Sequence, residues 1–521
     1  MKKTTTTILA AILGVTALFP MASCGKDPIA NDANTIEYQL KEGGYGLEWF
    51  EQATAKFKEL HPEVNFVKTK KASNYGEAKT LLSAGPDVTT CDLFMGSEPV
   101  MEYALYGGSL LKGYDCVLED LTDVYEATVD GVKVKDKLIK GYVDSYALTE
   151  NGTTKYYAYP WISGVLGIVY NATQFEQMNI TVPRTTDELF DVACTTIKNN
   201  GKVPFVDSKA VSYVDFLTRV WSNQYSTVEG QEKGYEGKVW DEDAGKYVYS
   251  EEAFKGKDVF YVADAREKMT GVRYGNMHDN VNTMTFTQAQ AQLLLGEGLM
   301  YVCGDWLENE MKAQKGNGDT LKYMKTPILS GIIDNTPSIT DDVTLRAVVD
   351  YVDGVTTTAP AGVTEEDIAY IRQAREIEYL TVFQSAYIPS YASAKGMAKE
   401  FLKFLASDEI VELCLDTTGG SSVPVKYDMK ADTTRWNALS PFMQSKYELL
   451  ENAQMTADPR KSRLQVFGSL KLNSTGIASN YTAYASKNPA DRNTAEEFYQ
   501  DRLSFFTRAK LDAALQNAGL L

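Results

Sequence analysis

The sequence has few of the residues on which most enzyme and metal sites depend. It contains only two histidines, His61 and His278, in 521 residues. It also lacks the G-x-S-x-G, H-E-x-x-H, P-loop and G-x-G-x-x-G motifs. These absences disfavour a serine hydrolase, a zinc protease and the common nucleotide-binding enzymes. A glycoside hydrolase needs only two carboxylates, so it stays open as an alternative although no pair of acids stands out.

Cysteine and positive charge are also scarce. The chain has 52 basic and 70 acidic residues and a formal net charge of −18. An acidic surface disfavours nucleic acid and electrostatic adhesion to anionic lipid. We expect no disulfide scaffold, metal site or cofactor, because the cysteines after the N-terminal region are dispersed and odd in number. They are Cys91, Cys116, Cys194, Cys303 and Cys414.

The N-terminal region is typical of a secreted protein. Two lysines precede the apolar run Ile8–Phe19, which is about half of the ~20 residues that a spanning helix needs. The small residues before Cys24 in the sequence MASCG resemble a bacterial lipobox. We therefore expect a lipoprotein signal peptide over residues 1–23, lipidation of Cys24, and a polar tether over residues 24–34.

The next part of the chain predicts an α/β sheet. Thr35–Leu40, Val64–Lys68 and Cys91–Met95 have the pattern of strands, and helical patterns at 47–61 and 75–84 separate them. Short connections in a β-α-β-α-β order predict right-handed crossovers and a parallel sheet. Ligands of such sheets bind beyond the carboxyl ends of the strands.

The stretch Ala158–Asn171 (AYPWISGVLGIVYN) predicts a passage between two bodies. Its first half, to Gly164, is an aromatic bend in which Pro160 favours extended backbone. Its second half, Val165–Tyr170, is apolar throughout and long enough for one buried strand. We interpret the first half as a hinge and wall of a ligand cleft. An ordinary core strand after a loop is the alternative.

Several stretches agree in order and spacing with one known pattern. They are Tyr157–Asn171, Pro183–Leu189, with its Thr185 and Glu188 capping box, Leu295–Trp306, Ser393–Ala406 and Gly420–Val425. Taken together, they resemble the extracellular solute-binding proteins of ABC importers, of the sugar-binding (family 1) kind. The lipobox is similar to the Gram-positive version.

The resemblance implies an α/β, two-lobed periplasmic-binding-protein-like fold of class II type, with a ligand cleft between the lobes. We expect lobe 1 to contain residues 35–160 and about 327–410. Lobe 2 then contains 161–326 and about 411–521. The segments 226–258 and 331–385 exceed the compact members of the family.

The function that the resemblance implies is capture of a carbohydrate, an oligosaccharide, for import by lobe closure. The protein would be a monomeric, lipid-anchored subunit on the extracellular face of a Gram-positive cell membrane, recognised by ABC permease subunits. It would not be an enzyme. A binder of a non-sugar solute on the same fold, such as a peptide or an organic polyanion, and a surface glycoside hydrolase are the alternatives.

Candidate ligand-binding residues follow from the chemistry of sugars. Aromatic rings cover the apolar C–H face of a sugar, and carboxylates or amides accept its hydroxyls. Packing under the hinge, core burial and helix capping are the alternative roles of these side chains. The candidates are Tyr45, Trp49, Glu98, Trp161, Ser163, Trp221, Asp305, Trp306 and Tyr387.

Overall fold

The structure is a computed structural model. It describes most of the chain after residue 31. The described residues are 32–69, 77–96, 116–150, 152–381, 384–421, 423–470 and 494–521. The predicted signal peptide, Cys24 and most of the predicted tether lie outside these ranges.

Strands occur throughout the described chain. Their bounds are β1 Thr35–Leu40, β2 Asn65–Lys68, β3 Leu93–Gly96, β4 Thr128–Val129, β5 Val132–Lys133, β6 Ala147–Glu150, β7 Thr153–Tyr156, β8 Tyr159–Pro160, β9 Val165–Asn171, β10 Val203–Phe205, β11 Lys238–Asp241, β12 Lys246–Tyr249, β13 Gly298–Gly304, β14 Leu321–Met324, β15 Ile377–Leu380, β16 Ser385–Tyr387 and β17 Gln454–Met455.

Helices connect and cover these strands. Their bounds are α1 Glu48–Leu60, α2 Glu77–Ala84, α3 Thr122–Glu126, α4 Val134–Lys137, α5 Lys140–Tyr146, α6 Ala172–Gln177, α7 Cys194–Asn199, α8 Val214–Ser226, α9 Val228–Tyr235, α10 Lys257–Thr270, α11 Phe286–Leu294, α12 Leu307–Glu310, α13 Asp342–Val352, α14 Glu365–Arg375, α15 Lys395–Phe404, α16 Asp408–Thr417, α17 Thr433–Ala438, α18 Pro441–Leu450, α19 Arg463–Phe467, α20 Ala495–Phe505 and α21 Arg508–Asn517. A π-helical turn, Glu188–Ala193, leads into α7.

Lobe 1 is built on a five-stranded sheet in the order β2-β1-β3-β16-β8. β1 pairs in parallel with β2 and with β3, which confirms the predicted β-α-β-α-β start and its parallel sheet. The apolar face of α1 packs on this sheet, since Phe50 and Phe57 are buried against Phe401 of α15 with ring centroids 5.8 and 5.3 Å away. The first strand has the bounds that its alternating pattern predicts.

Lobe 2 is built on a sheet whose central strand is β9. The strands lie in the order β10-β13-β9-β15-β17, and β14 also pairs with β9. All seven residues of β9 are buried, as the apolar run Val165–Tyr170 predicts for the first six. The prediction that Val165–Tyr170 forms a core strand of the second lobe is confirmed.

Within the described ranges, the chain passes between the lobes three times. It first crosses from β8 to β9 and then returns from β15 to β16, so the two crossovers run antiparallel side by side. The Trp161 amide donates to the Gln384 carbonyl at 3.3 Å, and the Thr381 amide donates to the Gly164 carbonyl at 2.8 Å. The third passage lies between Lys426, bonded to lobe 1, and α18, which packs on β14.

The lobe boundaries differ from the sequence-based ones in the second half of the chain. Residues 327–381 belong to lobe 2, because β15 pairs with β9 and the helices α13 and α14 share a core with Ile328. Lobe 1 extends past residue 410 instead. α16 packs on α1, and Val425 bridges to Leu138. The return crossover was not predicted from the sequence, because the surplus segment 331–385 adds two helices before it.

The other surplus segment, 226–258, packs against the C-terminal helices. Their shared core includes Phe254, Leu464, Phe506 and Leu511. A capping box at Thr494 begins the first of two C-terminal helices, α20 and α21. Extended backbone at Phe506 ends the first of them. In the described parts of the chain, no helix is long and apolar enough to cross a bilayer.

Candidate functional site: the junction of the lobes

Three predicted residues meet where the lobes touch. Tyr45 ends a 3-10 turn of lobe 1, and Asp305 and Trp306 follow β13 of lobe 2. The Tyr45 hydroxyl donates to Asp305 Oδ1 at 3.5 Å, and its ring lies edge-on to Trp306 with centroids 5.7 Å apart. All three side chains are buried. The structure therefore joins residues that are 260 positions apart in the sequence.

Gly164 of the first crossover leaves the space that this contact needs. A Cβ at this position would overlap the Tyr45 hydroxyl oxygen and would lie 3.1 Å from Trp306 Cζ3. Glycine therefore permits the two aromatic side chains to close over the crossover.

A buried lysine of α18, the helix that follows the third passage, joins the same cluster. Lys446 Nζ lies 3.6 Å from Asp305 Oδ2 and donates to the Gly420 carbonyl of lobe 1 at 2.9 Å. The hydroxyl of Tyr447 donates to the same carbonyl at 2.9 Å. Burial lowers the pKa of Lys446 to about 8, and Asp305 opposes this effect. The two residues of α18 thus bind lobe 2 to lobe 1.

The opposite edge of the junction carries a second polar contact between the lobes. The Asn309 side-chain amide of α12 donates to the Gly44 carbonyl. Nearby, Gln290 Nε2 donates to Glu310 Oε2 at 2.6 Å. Burial lowers the pKa of Lys41 in lobe 1 to about 8, and the negative charge of Glu310 opposes this shift. The lobes are closed on each other along this edge.

A row of aromatic side chains continues from Trp306 along lobe 2. The Tyr213 ring lies edge-on to Trp306 at a centroid distance of 5.8 Å. The Phe216 ring lies 5.9 Å from Tyr213 and 4.5 Å from Tyr379 of β15. The guanidinium of Arg219 lies 5.6 Å from the Phe216 centroid and 5.9 Å from that of Tyr379. Tyr213 and Phe216 are only half-buried, so they offer ring surface to a ligand.

An ion pair lies at the far end of this aromatic row. Arg460 donates from Nε to Asp458 Oδ1 at 2.9 Å and from its terminal nitrogen to Oδ2 at 2.7 Å. Burial raises the pKa of Tyr146 in lobe 1, and Arg460 opposes this shift across the lobe junction. The row therefore ends, like its beginning, where both lobes contribute side chains.

The other predicted residues do not join this row. Trp49 and Trp161 stack on each other in the lobe 1 core, with ring centroids 5.6 Å apart. Tyr387 is buried and stacks on Phe94 at 5.5 Å. Trp221 is fully buried in lobe 2, and its Nε1 donates to the Pro327 carbonyl at 3.1 Å. These positions match the packing roles that were the alternatives for tryptophan.

Ser163 lies on the other face of the first crossover. It is buried and lines a cavity of about 540 Å³ beside the third passage, together with Leu380, Val425 and Tyr447. Two further predictions, the ligand residue Glu98 and the lipidation site Cys24, fall outside the described residues.

Most of the aromatic row was not predicted from the sequence. Tyr213, Phe216 and Arg219 recur every three residues, which places them along one side of the start of α8. That spacing was a usable signal. No sequence pattern indicated Tyr379, because it lies within the fully buried strand β15. Only the tertiary fold brings it to the aromatic row.

The junction supplies binding groups of two kinds. Aromatic faces offer apolar contact, and the guanidinium of Arg219 offers hydrogen bonds. Across the described ranges, no group of histidine, cysteine and acidic side chains could hold a metal ion. The combination of aromatic faces and a charged group suits recognition of a solute with both apolar and polar faces.

Comparison with known proteins agrees with this arrangement. The diacetylchitobiose-binding protein NgcE of Streptomyces coelicolor is 27% identical over 292 residues, which are 55% of this chain and 56% of that protein. The match therefore covers little more than half of the relative's length.

Solved structures of binding proteins share the fold over nearly the whole chain. RafE in complex with raffinose aligns with a TM-score of 0.57 and 16% identity, covering 91% of this chain and 100% of that chain. The apo form of RafE from Streptococcus pneumoniae gives 0.57 and 18%, covering 91% and 98%. Maltose-bound MalE3 of T. maritima gives 0.55 and 17%, covering 94% and 100%.

A family match spans most of the chain and both lobes. The family described as bacterial extracellular solute-binding protein matches residues 43–412, a range that includes Tyr45, the first two crossovers and Trp306. The third passage and the C-terminal helices follow that range. This chain belongs to the family of bacterial extracellular solute-binding proteins.

Proposed function

We propose that this protein captures a carbohydrate, an oligosaccharide, between its lobes and delivers it to an ABC importer. The observation that carries the proposal is the aromatic row from Tyr45 through Trp306 to Tyr379, which begins and ends beside buried charges. Aromatic faces bind the C–H surface of pyranose rings, and charged groups bind the hydroxyls at the ring edges. A row of several rings suits several sugar units.

The ligands of the relatives support a carbohydrate. By their names, one relative binds diacetylchitobiose, and the structural neighbours were solved with raffinose and with maltose. All three ligands are short oligosaccharides. A neutral or charged oligosaccharide is therefore the solute class that we expect for this chain.

Lobe closure is the mechanism. A sugar that lies on the aromatic row of lobe 2, beside the point where Tyr45 of lobe 1 closes on Trp306, binds the closed form better than the open form and shifts the population towards it. The crossover contact between Thr381 and Gly164 is the axis about which the lobes move. The closed shape is then the signal that the permease subunits recognise.

The site acts on the outer face of the cell. We propose that Cys24 carries a lipid anchor, that the organism is Gram-positive, and that the protein works as a monomer. Neither cofactor nor catalysis is required. Members of the family are binding proteins, and both histidines of the chain, His61 and His278, lie outside the aromatic row.

A glycan panel tests the proposal. We expect thermal stabilisation by one class of oligosaccharide, confirmed by calorimetry, without release of new reducing ends. Trp306→Ala should weaken that binding at least tenfold, because an aromatic platform contributes about 1 kcal/mol or more beyond its burial. Trp240→Ala is the matched control, since Trp240 is exposed in the β11-β12 hairpin.

Two outcomes would contradict the proposal. If no glycan in the panel stabilises the protein, the carbohydrate assignment fails. If Trp306→Ala folds and binds as tightly as Trp240→Ala, the ligand does not contact the aromatic row.

A further inference from the structure

The guanidinium of Arg219 has hydrogen-bond donors without an acceptor in the described part of the chain. The guanidinium contacts the rings of Phe216 and Tyr379. Other enclosed arginines differ, because Arg375 donates to the Thr326 carbonyl and Arg502 to that of Phe254. Arg219 thus lies within cation–π range of two rings and keeps its N–H donors available.

The surroundings of Arg219 position it for a ligand. Cation–π contact with two rings holds the guanidinium at the junction and uses none of its N–H donors. The side chain is half-buried within the junction, so its charge is only partly hydrated. A fork of donors that is fixed in advance loses little entropy when it binds a planar acceptor.

The charge around Arg219 is positive overall. Arg460 lies within electrostatic range, but the bidentate pair with Asp458 already neutralises it. Asp458 also acts on Arg219 from a distance and reduces its field without bonding to it. One positive charge therefore remains at this end of the row, in a protein whose net charge is −18.

We propose that Arg219 binds the carboxylate of an acidic sugar unit, so that the captured oligosaccharide contains a uronic acid. The inference rests on the proposed function and specifies the solute of the same cleft. A carboxylate matches the spacing of two guanidinium N–H groups and would replace water as their acceptor. The neighbouring sugar units would lie along Phe216 and Tyr213 towards Trp306.

Matched neutral and acidic oligosaccharides test the inference by calorimetry. Xylotriose is compared with glucuronic-acid-substituted xylotriose, and galactotriose with trigalacturonate. Wild-type protein should bind an acidic member about 10- to 100-fold more tightly than its neutral partner, the range expected for hydrogen bonds to a charged group. Arg219→Gln should remove that preference, and Arg219→Lys should retain only part of it.

Arg372→Gln is the matched control for loss of one positive charge, because Arg372 is exposed on α14, a surface helix. It should leave the acidic preference unchanged. In wild-type protein, binding of the acidic member should weaken as salt rises, whereas binding of the neutral member should not. This salt dependence still tests whether the protein recognises a carboxylate if Arg219→Gln does not fold.

The outcomes separate the two proposals. Equal or tighter binding of the neutral members by wild-type protein overturns the carboxylate inference and leaves carbohydrate capture standing. A preference that survives in Arg219→Gln, or that ignores salt, overturns the role of Arg219. If no oligosaccharide in these or the wider panel binds, carbohydrate capture fails and the inference fails with it.

Discussion

Replacing Gly164 with alanine should hold the two lobes apart. The new Cβ would overlap the Tyr45 hydroxyl and would lie 3.1 Å from both Thr381 Oγ1 and Trp306 Cζ3. Gly164 is absent from the glycines with positive φ, so alanine fits its backbone. The substitution therefore acts on the contact between the lobes rather than on the crossover itself.

The size of the effect follows from the contacts that Tyr45 must give up. Its edge-on contact with Trp306 contributes about 1 kcal/mol, and its long hydrogen bond to Asp305 contributes about another 1 kcal/mol. The closed form then loses about 2 kcal/mol relative to the open form. Ligand affinity, which depends on closure, should fall about 30-fold.

Calorimetry and X-ray scattering measure the two sides of this prediction. The affinity of Gly164→Ala for a binding oligosaccharide is compared with that of Gly396→Ala. Gly396 lies in α15, and a Cβ there meets nothing within 4 Å. Scattering should show a more extended average shape for Gly164→Ala and an unchanged shape for Gly396→Ala. Equal affinities and equal shapes in the two variants would refute the assigned contact between Tyr45 and Trp306 across Gly164.

Two further predictions concern buried charges. Lys446→Met removes the cation beside the buried Asp305 carboxylate and should lower the free energy of unfolding by about 3 kcal/mol. Adding Asp305→Asn should restore much of this loss. Urea unfolding measures both variants, and a double variant whose loss equals the sum of the two single losses would contradict the coupling. Burial raises the pKa of Glu378 to about 7 from 4.5, so the folded state keeps a proton that the unfolded state loses, and stability should fall by about 3 kcal/mol as pH rises through this window. Glu378→Gln should abolish that fall, and an unchanged pH profile would show that Glu378 does not cause it.

The elements that the sequence predicted best are those with a simple periodicity. The alternation at Thr35–Leu40 and the unbroken apolar run in β9 each produced the predicted strand. Tyr45 and Trp306 were predicted as ligand residues because one lies in a glycine-rich turn and the other at the end of a predicted strand. Their mutual contact was not predicted, because it depends on the relative placement of two lobes.

Trp221 shows how the helical period decides between core and cleft. It follows Leu217 by four residues in α8, and both side chains lie in the lobe 2 core. Phe216 and Arg219 lie on a neighbouring side of the same helix and face the junction. An apolar run alone does not distinguish these sides, but the spacing does.

The lobe boundary was mispredicted for a topological reason. The sequence of Ile377–Leu380 would suit a short buried strand of either lobe. Only the pairing of this strand with β9 assigns it to lobe 2. Long-range pairing of this kind leaves no local pattern. The same holds for Tyr379, which reaches the aromatic row through that strand.

Small-angle X-ray scattering with and without a bound oligosaccharide tests the central claim most directly. If the cleft between the lobes binds a carbohydrate by closure, the radius of gyration should fall at saturating ligand. The curve should then match the closed arrangement in which Tyr45 touches Trp306. A binding oligosaccharide that leaves the scattering curve unchanged would contradict closure as the mechanism of capture.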